Sequence, residues 1–290
     1  MRRRSFLGVA GGIPLLALAP SVAVSAAPST AKKLSVAVSK KVGIAFGGGS
    51  THGMAHIGVL KALCERGMKF QIITGTSVGA IVGVLAAANM PIREIEKIAR
   101  QIEWPGVMNF AWSSRGLLNN NKLRTIIDVA ISNRRLDQLP IPFAAIATDM
   151  TNGERVILRN APAGLAIDAS CSIPVLFEPV NFAGRSLVDG GLTEPVPVIA
   201  AREMGADIVI GVDVAYRPYE AQHSGLTGAA FQTMHIMANA LINAQIGRAD
   251  VAIRMKLHHF IDKENTKDQL IAAGYAAANR AWPEIAAVLA

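Results

Sequence analysis

The sequence predicts an α/β chain: a three-layer α/β/α sandwich on a mostly parallel central sheet. Two observations carry this. Short, uniformly apolar runs such as 42–46 and 208–212 alternate with longer segments of helical spacing. Strands that are apolar on both sides belong in a sheet covered on both faces. The second observation is bulk composition. Of 290 residues, 51% are hydrophobic and 17% charged, which suits a sizeable core and excludes wholesale disorder. No internal repeat or second domain boundary interrupts the rhythm.

The elements follow in order. Residues 1–26 read as an export signal. Arg2, Arg3 and Arg4 precede an apolar stretch over 6–20, broken by Gly11, Gly12 and Pro14. Val24-Ser25-Ala26 and Ser25-Ala26-Ala27 offer small-residue cleavage sites. The stretch is too short and glycine-rich to be a good membrane span. Arg3-Arg4-Ser5-Phe6-Leu7 resembles the twin-arginine address; the alternative is an ordinary secretion signal with three arginines. Either predicts an exported protein, periplasmic or secreted. Residues 27–41 suit a linker, and 42–290 form the folded domain.

Within that domain, 42–46 reads as a buried strand, followed by a tight turn at Gly47, Gly48 and Gly49 and a helix over 54–66 that stops at Gly67. A strand at 71–74 leads into an apolar helix at 78–89. Pro91 starts another helix through 102. The irregular segment 104–118 carries Trp104, Phe110 and Trp112, which form either a lip meeting lipid or ordinary packing under a loop. Helices are expected at 122–132, 162–172, 196–204, 226–248 and 267–289. Strands are expected at 143–148, 155–158, 186–188 and 208–212, the first two around the Asn152-Gly153 turn.

Three turns carry the chemistry. Gly75-Thr76-Ser77-Val78-Gly79 is a G-x-S-x-G between a strand and a helix. A sharp turn there lifts a serine hydroxyl above the sheet, and Gly75 and Gly79 permit the close packing it needs. The helix start behind it favours developing negative charge. The second turn is Gly47-Gly48-Gly49-Ser50-Thr51-His52-Gly53, whose backbone N–H groups suit a tetrahedral oxyanion. A dinucleotide loop would need a glycine where His52 stands and an acidic residue about twenty positions on, and 67–72 has none. No G-K-S/T ending marks a phosphate loop. The third is Asp189-Gly190-Gly191 after an apolar strand, either a plain turn or a device that presents a carboxylate to another loop.

Together these turns resemble the patatin-like phospholipase family, which includes plant storage acyl hydrolases, cytosolic phospholipases and many bacterial proteins. Its pattern is a G-G-G-x-R/K-G loop, a G-x-S-x-G serine and an Asp in D-G-G or D-G-A, in that order. Gly48, Gly49, Ser50, Thr51, His52 and Gly53 fall on the loop, Ser77 on the nucleophile and Asp189 on the base. Ala55-His56-Ile57-Gly58-Val59-Leu60, Ala169-Ser170-Cys171-Ser172-Ile173-Pro174 and the run from Asp189 to Val198 add to the similarity. The resemblance, to bacterial exported members above all, spans about residues 42–275. It implies a patatin-like three-layer fold and a serine acyl hydrolase acting on lipid acyl esters. Asp189 would take the proton of Ser77 directly, while N–H groups of Gly48, Gly49 and Ser50 hold the oxyanion. Two positions depart from the pattern: Ser50 replaces the third glycine, and His52 replaces Arg or Lys. The loss of a fixed positive charge at His52 implies lower activity or an altered pH range.

The remaining residues are read plainly. Cys64 and Cys171 are expected in the core as free thiols. His56 is expected to be a structural histidine. His258-His259 lacks a third ligand, so no metal is predicted, and no cofactor either. The net charge of +8 drops to +5 without Arg2, Arg3 and Arg4. With no basic stripe interleaved with aromatics, nucleic acid is not an expected partner; the expected partner is a lipid or phospholipid, with peripheral contact at a membrane surface. Two alternatives remain. One is a Ser–His–Asp hydrolase using Asp189 or Asp213 with His235 or His258, and the other is a non-catalytic lipid-binding protein on the same fold.

Overall fold

The computed structural model describes residues 40–102, 121–217, 225–257 and 266–290. The expected signal, nearly all of the linker, and Trp104, Phe110, Trp112, His223, His258 and His259 lie outside the described residues.

Eight strands make one sheet: β1 (Val42–Phe46), β2 (Ile72–Thr76), β3 (Phe143–Asp149), β4 (Arg155–Leu158), β5 (Val180–Phe182), β6 (Arg185–Asp189), β7 (Ile208–Asp213) and β8 (Val251–Arg254). Hydrogen bonding links them along the path β5-β6-β3-β2-β1-β7-β8, with β4 also paired to β3. β3, β2, β1, β7 and β8 are parallel, and β4, β5 and β6 are joined antiparallel. The mostly parallel centre matches the expectation from composition.

Alternation along the strands builds the layers. Ile44 and Phe46 of β1, Ile73 of β2 and Ile210 and Val212 of β7 face one core. Ala45, Ile72 and Val209, their immediate neighbours, face the other. Successive side chains of a strand point to opposite faces. The first core is covered by α1 (Met54–Glu65), α2 (Val78–Ala87), α3 (Ile92–Gln101), α4 (Asn121–Ala130), α5 (Ala163–Cys171) and α8 (Thr266–Leu289). The second lies under α6 (Val198–Glu203) and α7 (Gly225–Gln245). α1 and α8 touch backbone to backbone. A Cβ on Gly58 would stand 1.9 Å from the Ile271 carbonyl oxygen, and one on Gly274 the same distance from that of Ala55.

Three sequence expectations need correction. β5 and β8 were not anticipated. At three and four residues they are too short for a period-two pattern to stand out, and β5 is only partly buried. Cys64 is exposed rather than in the core, whereas Cys171 is buried. Lys61, Cys64 and Glu65 share the outward face of α1 at i, i+3 and i+4.

The pairings of β3 bring the distant turns together. Ala145 and Ile146 pair with β2 and also with β4, so these two strands lie on opposite edges of β3. Ala147 pairs with Val156 of β4 and with Asp189 of β6. β6 therefore shares the edge used by β2. Thr76 meets Ile146, and Asp189 meets the next residue, Ala147. The ends of β2 and β6 thus abut, placing Ser77 beside Asp189.

Candidate active site

Ser77 sits between β2 and α2 with φ 54° and ψ −127°. A non-glycine residue in this region carries roughly 1–3 kcal/mol of backbone strain and persists only where its surroundings dictate it. Both flanking glycines are dictated too. A Cβ on Gly75 would lie 2.4 Å from the Ala80 Cα, and one on Gly79 2.2 Å from the Phe46 carbonyl oxygen. The Ser77 hydroxyl lies beside the Asp189 carboxylate, close enough to stabilise its charged form, and both line one pocket.

Asp189 is itself tightly held. Its N–H donates to the Ser172 carbonyl at 2.9 Å, and its carbonyl accepts from Thr148 Oγ1 at 3.0 Å. Oδ1 accepts from the Gly191 N–H at 2.7 Å. Gly190 lies over the Ile146 carbonyl, where a side chain would not fit. Burial raises the Asp189 pKa from 3.8 to about 6, against the opposing pull of the Ser77 hydroxyl and the Gly191 N–H. A carboxyl titrating there is ionised at neutral pH yet basic enough to share a serine proton.

The backbone of Ser77 is held by a residue that sequence reasoning treated only as part of a motif. Ser170 Oγ accepts the Ser77 N–H at 2.9 Å and donates to the Ile146 carbonyl at 2.6 Å. Ser170→Ala leaves a buried donor and a buried acceptor unpaired, each costing about 1–3 kcal/mol. The expected result is a kcat about tenfold lower or more, since 1.4 kcal/mol is one factor of ten, with KM for a short aryl ester changed far less. Steady-state kinetics on the purified variant checks it; an unchanged kcat removes Ser170 from the elbow's support.

The glycine turn lies directly over Ser77. A Cβ on Gly48 would come 3.4 Å from the Ser77 Cβ. Gly47 N–H donates to the Val212 carbonyl and Gly48 N–H to that of Pro195, both at 2.9 Å. Gly48, expected to hold the oxyanion, therefore has its N–H committed elsewhere. The N–H groups of Gly49 and Ser50 meet no acceptor among the described residues. Ser50, at the third glycine position, has φ 49°. That is the left-handed region, where a side chain costs about 1 kcal/mol, so the family glycine has a backbone reason. Gly53 closes the turn against Val78.

His52 is not a surface substitute for a cation. It is buried, and Nδ1–H donates to the Val214 carbonyl at 3.0 Å. Its ring stacks on Tyr216 at 3.9 Å, and Tyr216 stacks on His235 at 5.5 Å. Thr51 Oγ1 and Tyr216 Oη lie 2.5 Å apart in a hydrogen bond. Tyr216 had no motif to announce it. His56 is the structural histidine expected. Its Nε2–H donates to the Gly47 carbonyl at 2.7 Å, and burial pushes its pKa down to about 4, so it stays neutral. Cys171, read as plain core, is buried with its thiol near the Ser77 hydroxyl. Burial, then the charges of Asp189 and Asp168, push that thiol well above its usual range, leaving it protonated and unreactive.

A pocket opens above Ser77 and Asp189. Ile173, Leu176, Leu192, Phe231 and Met234 make its apolar walls, and Tyr216 and His235 border it. Asp213, an alternative triad carboxylate, is buried and ion-paired with Arg217 at 2.8 Å and Arg254 at 3.1 Å. Its N–H acceptor role toward Ala215 completes a structural end to β7.

Comparison with known proteins places the chain in a family. The chain is 35% identical over 179 residues to the "Uncharacterized NTE family protein Rv1063c" of Mycobacterium tuberculosis, covering 61% of this chain and 49% of that protein. It is 30% identical over 179 residues to "Lysophospholipase NTE1" of Candida glabrata, covering 60% of this chain and 10% of that one. The match thus spans about half or less of these curated relatives. The crystal structure of VipD from Legionella pneumophila shares the fold, with a TM-score of 0.55 at 14% identity over 83% of this chain and 66% of that one. A family model described as "Patatin-like phospholipase" matches residues 44–202, more than half of the sequence and all three turns. By that match, this chain belongs to the patatin-like phospholipase family.

Proposed function

We propose that the chain is a serine acyl hydrolase that cleaves lipid acyl esters, in the manner of a phospholipase A or lysophospholipase, through a Ser77–Asp189 dyad. The observation that carries this is Ser77 on its strand-to-helix elbow beside a buried carboxyl raised to a pKa of about 6, both beneath an apolar pocket.

Asp189 accepts the Ser77 proton as Oγ attacks the ester carbonyl. The tetrahedral oxyanion takes hydrogen bonds from the N–H groups of Gly49 and Ser50, the donors left uncommitted in the glycine turn. Asp189 then gives the proton to the departing alkoxide, and the acyl group stays on Ser77. Water, deprotonated by Asp189, attacks the acyl-enzyme and frees the fatty acid. The acyl chain lies along Ile173, Leu176, Phe231 and Met234. A lysophospholipid is the substrate class to test first, because one relative is named a lysophospholipase.

Acid-quenched turnover of a lysophosphatidylcholine, followed by peptide mass spectrometry, tests the reading. The expected product is fatty acid, with an adduct of one fatty acid less one water on the peptide containing Ser77. No fatty acid from lysophospholipid, diacyl phospholipid or a short aryl ester would overturn it.

A further inference from the structure

α7 runs for 21 residues without one Asp, Glu, Lys or Arg. Its inward face explains only part of this. Phe231, Met234, His235 and Ala238, at i, i+3, i+4 and i+7, border the pocket. The outward face has no such duty, and it is apolar as well. Leu226, Ile236 and Met237 are 89%, 52% and 54% exposed, and Ala229, Thr233, Ala240, Asn243 and Ala244 are exposed on the same uncharged side. A surface helix that serves only a core carries charge on its outer side.

A second element points the same way. The turn at 173–177 packs on α7 through Leu176 and Phe177 against Phe231. It holds Val175 outward, 46% exposed, with φ 75°. A β-branched residue in that region is a true outlier. Pro174 and Leu176, its neighbours, line the pocket. An apolar rim therefore continues from the pocket mouth onto the outer side of α7. Among the described residues, no helix is long and apolar enough to cross a membrane.

We propose that α7 is an interfacial helix, lying in the surface of a phospholipid bilayer with Leu226, Ile236, Met237 and Val175 immersed. This rests on the lipid-hydrolase reading of the pocket. Binding at the boundary of head groups and acyl chains grows with the apolar area a helix face can immerse there. Its other face then sets the pocket mouth at that depth, and an acyl chain passes from bilayer to pocket without crossing water. Exposed Arg248, just after α7, is placed to meet lipid phosphates. A second copy of this chain would cover the same face without linking it to the pocket.

The test uses full-length protein carrying Ser77→Ala, so that binding is read without turnover. Sedimentation with vesicles of phosphatidylcholine and a minor share of phosphatidylglycerol should pellet it. Adding Ile236→Glu with Met237→Glu, or separately Val175→Glu, should weaken pelleting by about tenfold or more, a factor worth 1.4 kcal/mol. With Ser77 intact, these variants should hydrolyse a soluble short aryl ester within about twofold of the parent, as expected of surface substitutions, which also shows that they fold. Their hydrolysis of vesicle lipid should fall in step with binding. Undiminished pelleting overturns the proposal. So does a parental dimer that Ile236→Glu with Met237→Glu turns into a monomer on gel filtration, because a second copy then occupies the face. If binding behaves as expected but the parent hydrolyses no ester, the docking stands and the hydrolase reading fails.

Discussion

Asp189→Asn is expected to lower aryl-ester turnover by about 10²–10⁴-fold, the usual worth of a general base, while making the folded protein more stable at neutral pH. The amide keeps the bond from the Gly191 N–H but cannot accept the Ser77 proton. The stability gain follows from linkage. Burial raises the Asp189 pKa from 3.8 to about 6, so between those values the native state binds more protons than the unfolded chain. Native stability therefore falls as pH rises through that window and stays lower above it. A shift of this size corresponds to about 3 kcal/mol at most. Thermal melts of parent and variant at pH 7 should differ by part of that, and the gap should close toward pH 4. Parental kcat/KM should also fall as pH drops below about 6, where the base protonates. His235→Ala separates the dyad from a triad. A triad loses orders of magnitude with its histidine, whereas here the folded variant should keep most aryl-ester turnover. A variant as weak as Asp189→Asn would instead make His235 the proton carrier.

Ser77→Ala is expected to abolish both hydrolysis and labelling by a fluorophosphonate probe, because among the described residues no other hydroxyl sits on such an elbow beside the Asp189 carboxylate. Cys171 sits against Ser77 but stays protonated. The alanine Cβ takes the place of the serine Cβ, so the elbow and its flanking glycines keep their packing. The φ of 54° and the strain it carries remain. Ser77→Gly would be equally inactive but relieved of the side chain, and its unfolding free energy should exceed that of Ser77→Ala by about 1 kcal/mol. Gel fluorescence after probe treatment and a denaturant melt measure the two effects. Labelling that survives in Ser77→Ala removes Ser77 from the mechanism.

Much of this site was legible before the fold. Each of the three turns joins a strand to a helix or a 3-10 turn, and glycine marks them because the backbone there has no room for a Cβ. The central parallel strands were legible for a similar reason: buried on both sides, they are continuous apolar runs. What stayed hidden depends on tertiary contact. Tyr216 enters the pocket only because β7 lies beside β1, which brings residue 216 over His52. Gly48 looked like an oxyanion donor until the Pro195 carbonyl was found on its N–H. The exposed side of Cys64 was hidden by the apolar content of α1, which has little contrast between its faces.

The shared edge of β3 makes the reacting pair indifferent to the loops around it. Thr76 and Asp189 are registered on Ile146 and Ala147, adjacent residues of one buried strand. The spacing of Asp189 and the Ser77 elbow is thus fixed by the covalent step along a backbone rather than by any loop. The hairpin between β5 and β6 turns at Ala183 and Gly184, both in the left-handed region and far from that register. New segments can be grafted at such turns, or lost, while the reactive distance stays constant. Substrate range and chemical competence are consequently separable traits in this architecture. A lineage can exchange one for many alternatives without re-evolving the other.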